Sequence, residues 1–491
     1  MDKKIPTDSL TDKQKDYATF LPAMSSFFAR DLGKARHEED YILPKRVPQN
    51  FEHGVEGLNY MKPKDTYFYY KWHLYSAGHA DLNMKHFSVR DDIIRNRDRK
   101  DNWVLGDSGG FQIGKGVWEG DWKDPTCPKA KKKREQVLEF MDGNMDYGMI
   151  LDIPAWVSRS PQGAKASNIN SYQEAVDGTR INNDYFMKNR NGNCKFLNVL
   201  QGENFQQADD WYLQMKDYCD PKKYTDHFNG WAMGGQNMCD VHLALKRLVA
   251  LRFDGLLEKG KHDVMHFLGT SKLEWAVLLT DVQRAIRKYH NENFMITFDC
   301  ASPFLASANG QVYTDIEIKD KKKWVYRMMP SADDKAFAKD TRPFKEAVLD
   351  KGIFPAFRDS PVSERLMLKD ITCYNPGDLN KMKNDPKTSW DSFSYTLQMA
   401  HNVWMHIKAV QEANEAYDKG INPHMLVEEK FDRIAFKDIV NAIFATSDRD
   451  EANAVIEEFS RFWMSIIGTR GATGKKTVNA STQFGNLFEE V

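Results

Sequence analysis

Three aspartates stand at the ends of short apolar runs: Asp107 closes NWVLGD, Asp152 closes YGMILD and Asp299 closes FMITFD. Carboxylates that converge on one pocket repel and shift one another's protonation, an arrangement suited to acid–base or nucleophilic work. A pair of them supports glycosyl chemistry, in which one attacks the anomeric carbon and the other moves protons to the departing group and from the arriving one. Metal-dependent hydrolysis uses the same residue type, but no HxH or HExxH pattern accompanies these aspartates. The alternative use of each aspartate is to cap the helix that follows its loop.

Other strand-end groups suit a flat, polar ligand. In DSGGFQ (107–112), the two glycines permit close backbone approach, Phe111 offers a stacking face, and Ser108 and Gln112 add polar contacts. GWAMGGQ (230–236) supplies a second pair, Gly234 and Gly235, with backbone amides that can donate to an oxygen. Gln201, in LQG, donates and accepts at once, which fits a purine edge.

These residues need a scaffold that brings strand ends together. Six apolar runs end at Asp107, Asp152, Gln201, Gly235, Gly269 and Asp299, at intervals of 30 to 49 residues. Each interval has room for a loop, a helix and a return, and helical periodicity fills several, as over 131–145, 241–253 and 271–290. A doubly wound sheet satisfies this pattern, but polar residues at all six ends favour a (β/α)8 barrel, where every strand end shares one face. The fold expected is therefore α/β: a (β/α)8 TIM barrel with an N-terminal extension and a C-terminal helical element. Two further strands must precede Asp107. The aromatic run over 67–78 supplies one, and the other has no clear signal. The expected division is an extension over 1–60, a barrel over 61–417 with an insertion around 305–390, and a helical element over 418–491. The helix over 394–417 would close the barrel.

The balance of 41% hydrophobic and 28% charged residues excludes a disordered or fibrous chain. A net charge of −1 gives no global attraction to a polyanion, so a nucleic-acid partner would need a local basic surface. Six scattered cysteines with no CxxC, a polar start and the lack of a long apolar stretch lead to the expectation of a cytoplasmic protein with no membrane association.

The ordered series DSGGFQ, ILD, LQG, AMGG, FLG and FDC resembles the tRNA-guanine transglycosylase superfamily of (β/α)8 enzymes, with WHL (72–74) similar to that family's YHL. The resemblance spans roughly residues 72–300. It implies a glycosyltransferase of the pentosyltransferase type, with Asp299 as the nucleophile of a covalent glycosyl-enzyme and Asp107 as general acid/base. Asp152 and Gln201 would read the guanine edge, the Gly235 amide would meet the base carbonyl, and Phe111 and Leu268 would sandwich the ring. The implied reaction replaces guanine by a 7-deazaguanine base without strand cleavage and requires no cofactor.

Two departures matter. The family's zinc motif, CxCxxC with a later HN pair, is reduced to Cys373 and His401-Asn402, with Leu368 and Asp370 at the other thiol positions and Asp370 and His406 as substitute ligands; a structural zinc is therefore not expected. The family dimerises partly through that region, so an oligomer remains possible. After the nucleophile, tRNA-modifying members carry an arginine-rich PTRNARHG-like loop, whereas this chain reads CASPFLASANG (300–310). The guanine-site motif has also become LDIPAW, and the family's NTYHL has become YKWHL. Retained catalytic aspartates with lost tRNA-reading groups fit the divergent branch, found in bacterial genomic islands and phages, that inserts 7-deazaguanines such as preQ0 into DNA. A phage-encoded member would act in the host cytoplasm. A tRNA-guanine transglycosylase making queuosine- or archaeosine-type modifications, and a non-catalytic nucleic-acid-binding homologue, are the alternatives. DNA phosphates would need basic side chains, for which KAKKKR (129–134, with Lys131, Lys132, Lys133 and Arg134), KDKKK (319–323, with Lys321, Lys322 and Lys323) and RNRDRK (95–100) are candidates.

Overall fold

The computed structural model describes residues 8–37, 41–82, 92–318, 324–349, 357–372, 389–428 and 434–471. Eight parallel strands form one barrel sheet: β1 (Thr19–Pro22), β2 (Trp72–Ser76), β3 (Trp103–Asp107), β4 (Tyr147–Met149), β5 (Lys195–Leu200), β6 (Gly230–Met233), β7 (Val264–Phe267) and β8 (Met295–Cys300). Neighbours pair in sequence order from β2 to β8, and β1 pairs with β8, Leu21 opposite Asp299. A parallel bridge between Ala23 and Leu74, with the Met24 N–H donating to the Leu74 carbonyl at 2.9 Å, joins β1 to β2 and closes the ring.

Every residue of β1, β6 and β7 is buried, as expected for strands covered on both faces. The strand without a sequence signal is β1. It lies inside the segment read as an N-terminal extension, so the barrel begins at Thr19 and not near residue 61. Four residues carry too little pattern to stand out, and TFLP is recognisable only by its pairing.

Helices α1 (Ser26–His37), α2 (Pro128–Asn144), α3 (Tyr172–Asn189), α4 (Phe205–Met215), α5 (Val241–Phe253), α6 (Leu273–Tyr289) and α7 (Ser392–Asp418) surround the strands. Side chains that stop the backbone start several of them: Ser171 accepts from Glu174 N–H at the head of α3, Asn204 from Gln207 N–H at α4, and Asp240 from Leu243 N–H at α5. The antiparallel hairpin β9 (Gln311–Glu317) and β10 (Val325–Pro330) lies in the insertion after β8, and α7 then packs against α6, α1 and β1. Beyond it, α8 (Phe436–Ala445) rests on α6, while α9 (Arg449–Glu458) and α10 (Ser460–Gly471) rest on α5. Among the described residues, no helix is long and apolar enough to cross a membrane.

Candidate active site

Parallel register brings the candidate site residues to the carboxyl ends of seven strands. Ser76 ends β2, Asp107 ends β3, Asp152 and Gln201 follow β4 and β5, Gly234 and Gly235 follow β6, Leu268 follows β7, and Asp299 lies in β8. None of the three aspartates caps a helix. The caps at the short helices Gly110–Gly114 and Ser302–Ala308 are Gly109 and Ala301, and the turn Ala155–Arg159 is preceded by Pro154.

The carboxylates occupy contrasting settings. Asp299 Oδ1 accepts the Gly269 N–H at 2.8 Å and lies 3.1 Å from His266 Nε2, and the His266 ring is fully buried. Asp107 Oδ2 accepts the Ser76 hydroxyl at 2.6 Å, and Oδ1 accepts the Gly109 N–H at 3.3 Å. Burial pushes the Asp107 carboxyl above the usual carboxylate range, outweighing those two donors, and the nearby Asp299 charge pushes the same way. Asp152 is pushed up to about 7, first by burial, against the Gln201 hydrogen bond and with help from the Asp107 charge. The three sites thus form one electrostatic unit, with Asp107 feeling Asp299 and Asp152 feeling Asp107.

The glycines act mainly in packing. A Cβ on Gly110 would sit 2.3 Å from the Asp152 carbonyl oxygen, and Gly109, at φ +79°, would meet Trp118 and the Gly78 backbone. Gly109 thus packs closely on the segment after β2 and Gly110 on the segment after β4. The Gly234 N–H is taken by the Leu200 carbonyl at 2.8 Å, correcting the expectation that both amides of this pair are available. Gly235 keeps an N–H without a partner among the described residues. Ser108 Oγ and Gln112 Oε1 are buried and have no hydrogen-bond partner among the described residues. Phe111 is exposed, with its ring edge-on to Trp156 at 5.7 Å and the Lys115 ammonium over it at 5.3 Å; Leu268 is half-buried.

The basic clusters separate. Lys131 and Lys132 are exposed at the start of α2, on the same barrel face as the aspartates, and the half-buried Lys133 lies 4.9 Å over the Trp118 ring. Arg134 does not belong with them: it is buried on the inner side of α2 and donates to Asn182 Oδ1. Two arginines of RNRDRK are engaged within the protein. Arg97 donates to the Asn144 carbonyl and to Asp146, which precedes β4 at the opposite end of the barrel, and the Arg95 side chain is buried beside Asp92. Lys321, Lys322 and Lys323 lie outside the described residues.

Among the described residues, the side chains considered above as zinc ligands are engaged within the protein. Both His401 nitrogens have protein partners, Ser360 Oγ at 2.8 Å and the Tyr313 carbonyl at 2.7 Å, and Asp370 accepts the Met367 N–H at 2.7 Å. His406 Nε2 lies 3.0 Å from the Tyr326 hydroxyl and 3.5 Å from Cys300 Sγ. Cys373 lies outside the described residues, among which no three His, Cys, Asp or Glu side chains gather as a metal would require.

Sequence reasoning missed Ser76, His266 and Thr297. His266 is hidden inside an apolar run, VMHFLG, where the one detectable signal is a polar residue two positions before Leu268. The chain matches no family model and no curated protein sequence.

Proposed function

We propose that this protein is a DNA-guanine transglycosylase, exchanging guanine in DNA for a 7-deazaguanine base of the preQ0 type through a covalent glycosyl-aspartyl intermediate. The observation that supports this reading most is the pairing of two hydrogen-bonded carboxylates at one barrel face, close enough for the Asp299 charge to act on Asp107. Burial raises the Asp107 carboxyl above the usual carboxylate range despite its two donors, the direction a proton donor needs, and Asp299 is met by an N–H donor and an imidazole nitrogen.

In the proposed first step Asp299 Oδ2 attacks C1′ while the C1′–N9 bond breaks. The electron pair goes to the base, which takes the Asp107 proton and leaves as neutral guanine. In the second step the Asp107 carboxylate removes the N9 proton of the incoming base, N9 attacks C1′, and the ester bond to Asp299 breaks. Two displacements retain configuration at C1′. Asp152 and Gln201 would read the base edge and the Gly235 N–H its carbonyl, with Phe111 and Leu268 against the ring. Every proton and electron pair is accounted for without a cofactor.

The choice of DNA over tRNA is supported by the segment after the nucleophile. Residues 303–307, PFLAS, are buried within the short helix Ser302–Ala308, so this stretch has neither the arginines nor the exposure to grip an RNA loop. A base in duplex DNA would have to flip out to reach Asp299, with Lys131 and Lys132 available to phosphates on the same face. The proposed setting is cytoplasmic. The direct test is to trap the intermediate: duplex DNA incubated with the protein and denatured should give a covalent protein–DNA adduct, and an adduct that survives Asp299→Ala would place the nucleophile elsewhere.

A further inference from the structure

Beneath Asp299 runs a buried chain of polar groups. His266 pairs with Thr297 in the β7–β8 register, and Asp299 lies two residues beyond Thr297, on the same face of its strand. His266 Nδ1 is 2.9 Å from Thr297 Oγ1, His266 Nε2 is 3.1 Å from Asp299 Oδ1, and Thr297 Oγ1 is 3.5 Å from the Met265 carbonyl. All of His266 and Thr297 is buried.

The hydroxyl has one proton to give. At 2.9 Å the imidazole is the better acceptor than a carbonyl at 3.5 Å, so Nδ1 accepts from Thr297 and Nε2 carries the ring hydrogen. A buried imidazole with an unmet nitrogen is costly, and this arrangement meets both nitrogens while directing a donor at the carboxylate. The Gly269 N–H, in the segment after β7, donates to the same oxygen at 2.8 Å. With both donors on Oδ1, Oδ2 has no partner among the described residues.

We infer that His266 is the positioning residue of the nucleophile: with the Gly269 N–H it fixes Asp299 Oδ1 and leaves Oδ2 as the attacking oxygen, while Thr297 sets the imidazole tautomer. The inference rests on the transglycosylase reading, and its tests separate the two. In single-turnover trapping on duplex DNA, His266→Leu should slow adduct formation by about 100-fold, the scale of a misplaced reacting group, with DNA affinity unchanged. His266→Gln, which keeps an N–H donor, should recover a large part of that loss, and Thr297→Val should give a smaller one. Thermal melting identifies any variant that fails to fold. In the wild-type protein, ring nitrogen NMR shifts should show Nε2 protonated and Nδ1 bare. The inference is overturned if His266→Leu forms adduct within threefold of the wild-type rate, if folded His266→Gln is no faster than folded His266→Leu, or if the ring hydrogen sits on Nδ1. A wild-type protein that forms no adduct contradicts the transglycosylase reading instead. The crystal structure of His266→Leu then decides the positioning role, which fails if Asp299 Oδ1 keeps its place on Gly269.

Discussion

The Gln201 side-chain amide donates to Asp152 Oδ2 at 2.8 Å, linking the ends of two adjacent barrel strands. Guanine's Watson–Crick edge presents N1–H and N2–H donors, so it needs the ionised carboxylate as acceptor. Because Asp152 is pushed up to about 7, base binding should weaken by about tenfold from pH 8 to pH 6. Calorimetric titration of the free base checks this, and Asp152→Asn should bind weakly with a flat profile.

The same group makes a stability prediction of opposite sign. The folded state raises Asp152 from its ordinary 3.8, so the protonated carboxyl is favoured by folding. Its contribution is fully present below the unfolded value and is lost as pH rises through about 7. The melting temperature of Asp152→Asn relative to wild type should therefore rise between pH 4 and pH 8.

Asp107 and Asp299 should fail differently. Asp299→Ala should abolish both exchange and adduct. Asp107→Asn should slow adduct formation by about 10²–10⁴-fold, the usual worth of general acid–base catalysis. Since burial disfavours the Asp107 charge, Asp107→Asn should not lower the melting temperature at pH 8, which separates a catalytic loss from a folding one.

Gly235 has φ +54°, and a Cβ there would lie 2.4 Å from the Gly202 carbonyl oxygen. Gly235→Ala should cost about 1–3 kcal/mol in urea denaturation and weaken base binding. Gly255, at φ +72° with no atom within 4 Å of its added Cβ, lies after α5 at the opposite end of the barrel. Gly255→Ala should strain the backbone and leave base binding unchanged.

The basic run over 129–134 should divide in the same way. Replacing Lys131 and Lys132 with glutamine should weaken DNA binding and lower the salt-dependence slope by about 2, near one for each lost phosphate contact. Arg134→Ala should instead cost about 1–3 kcal/mol of stability through the lost bond to buried Asn182, with the slope unchanged.

The barrel and the strand-end residues were legible because buried parallel strands read as short apolar runs, and the polar residue that stops each run is the one placed at the shared face. Asp107, Asp152, Gln201 and Asp299 were found this way. Strand β1 was not, because four residues in an aperiodic segment are defined by pairing with β8. Arg134 was misread for a related reason: within a run of like charges, sequence does not say which side of the helix faces the core, and helical geometry turns Arg134 inward while Lys131 and Lys132 stay exposed. His266 and Ser76 escaped because their roles arise from register across strands, Thr297 beside His266 and Asp107 beside Ser76.

The central claim is tested most directly by incubating the protein with radiolabelled preQ0 and, separately, duplex DNA or total tRNA, then measuring label in the recovered polymer. Label should enter DNA in the wild type and be lost with Asp299→Ala. Label entering tRNA but not DNA, or neither polymer, would contradict the account.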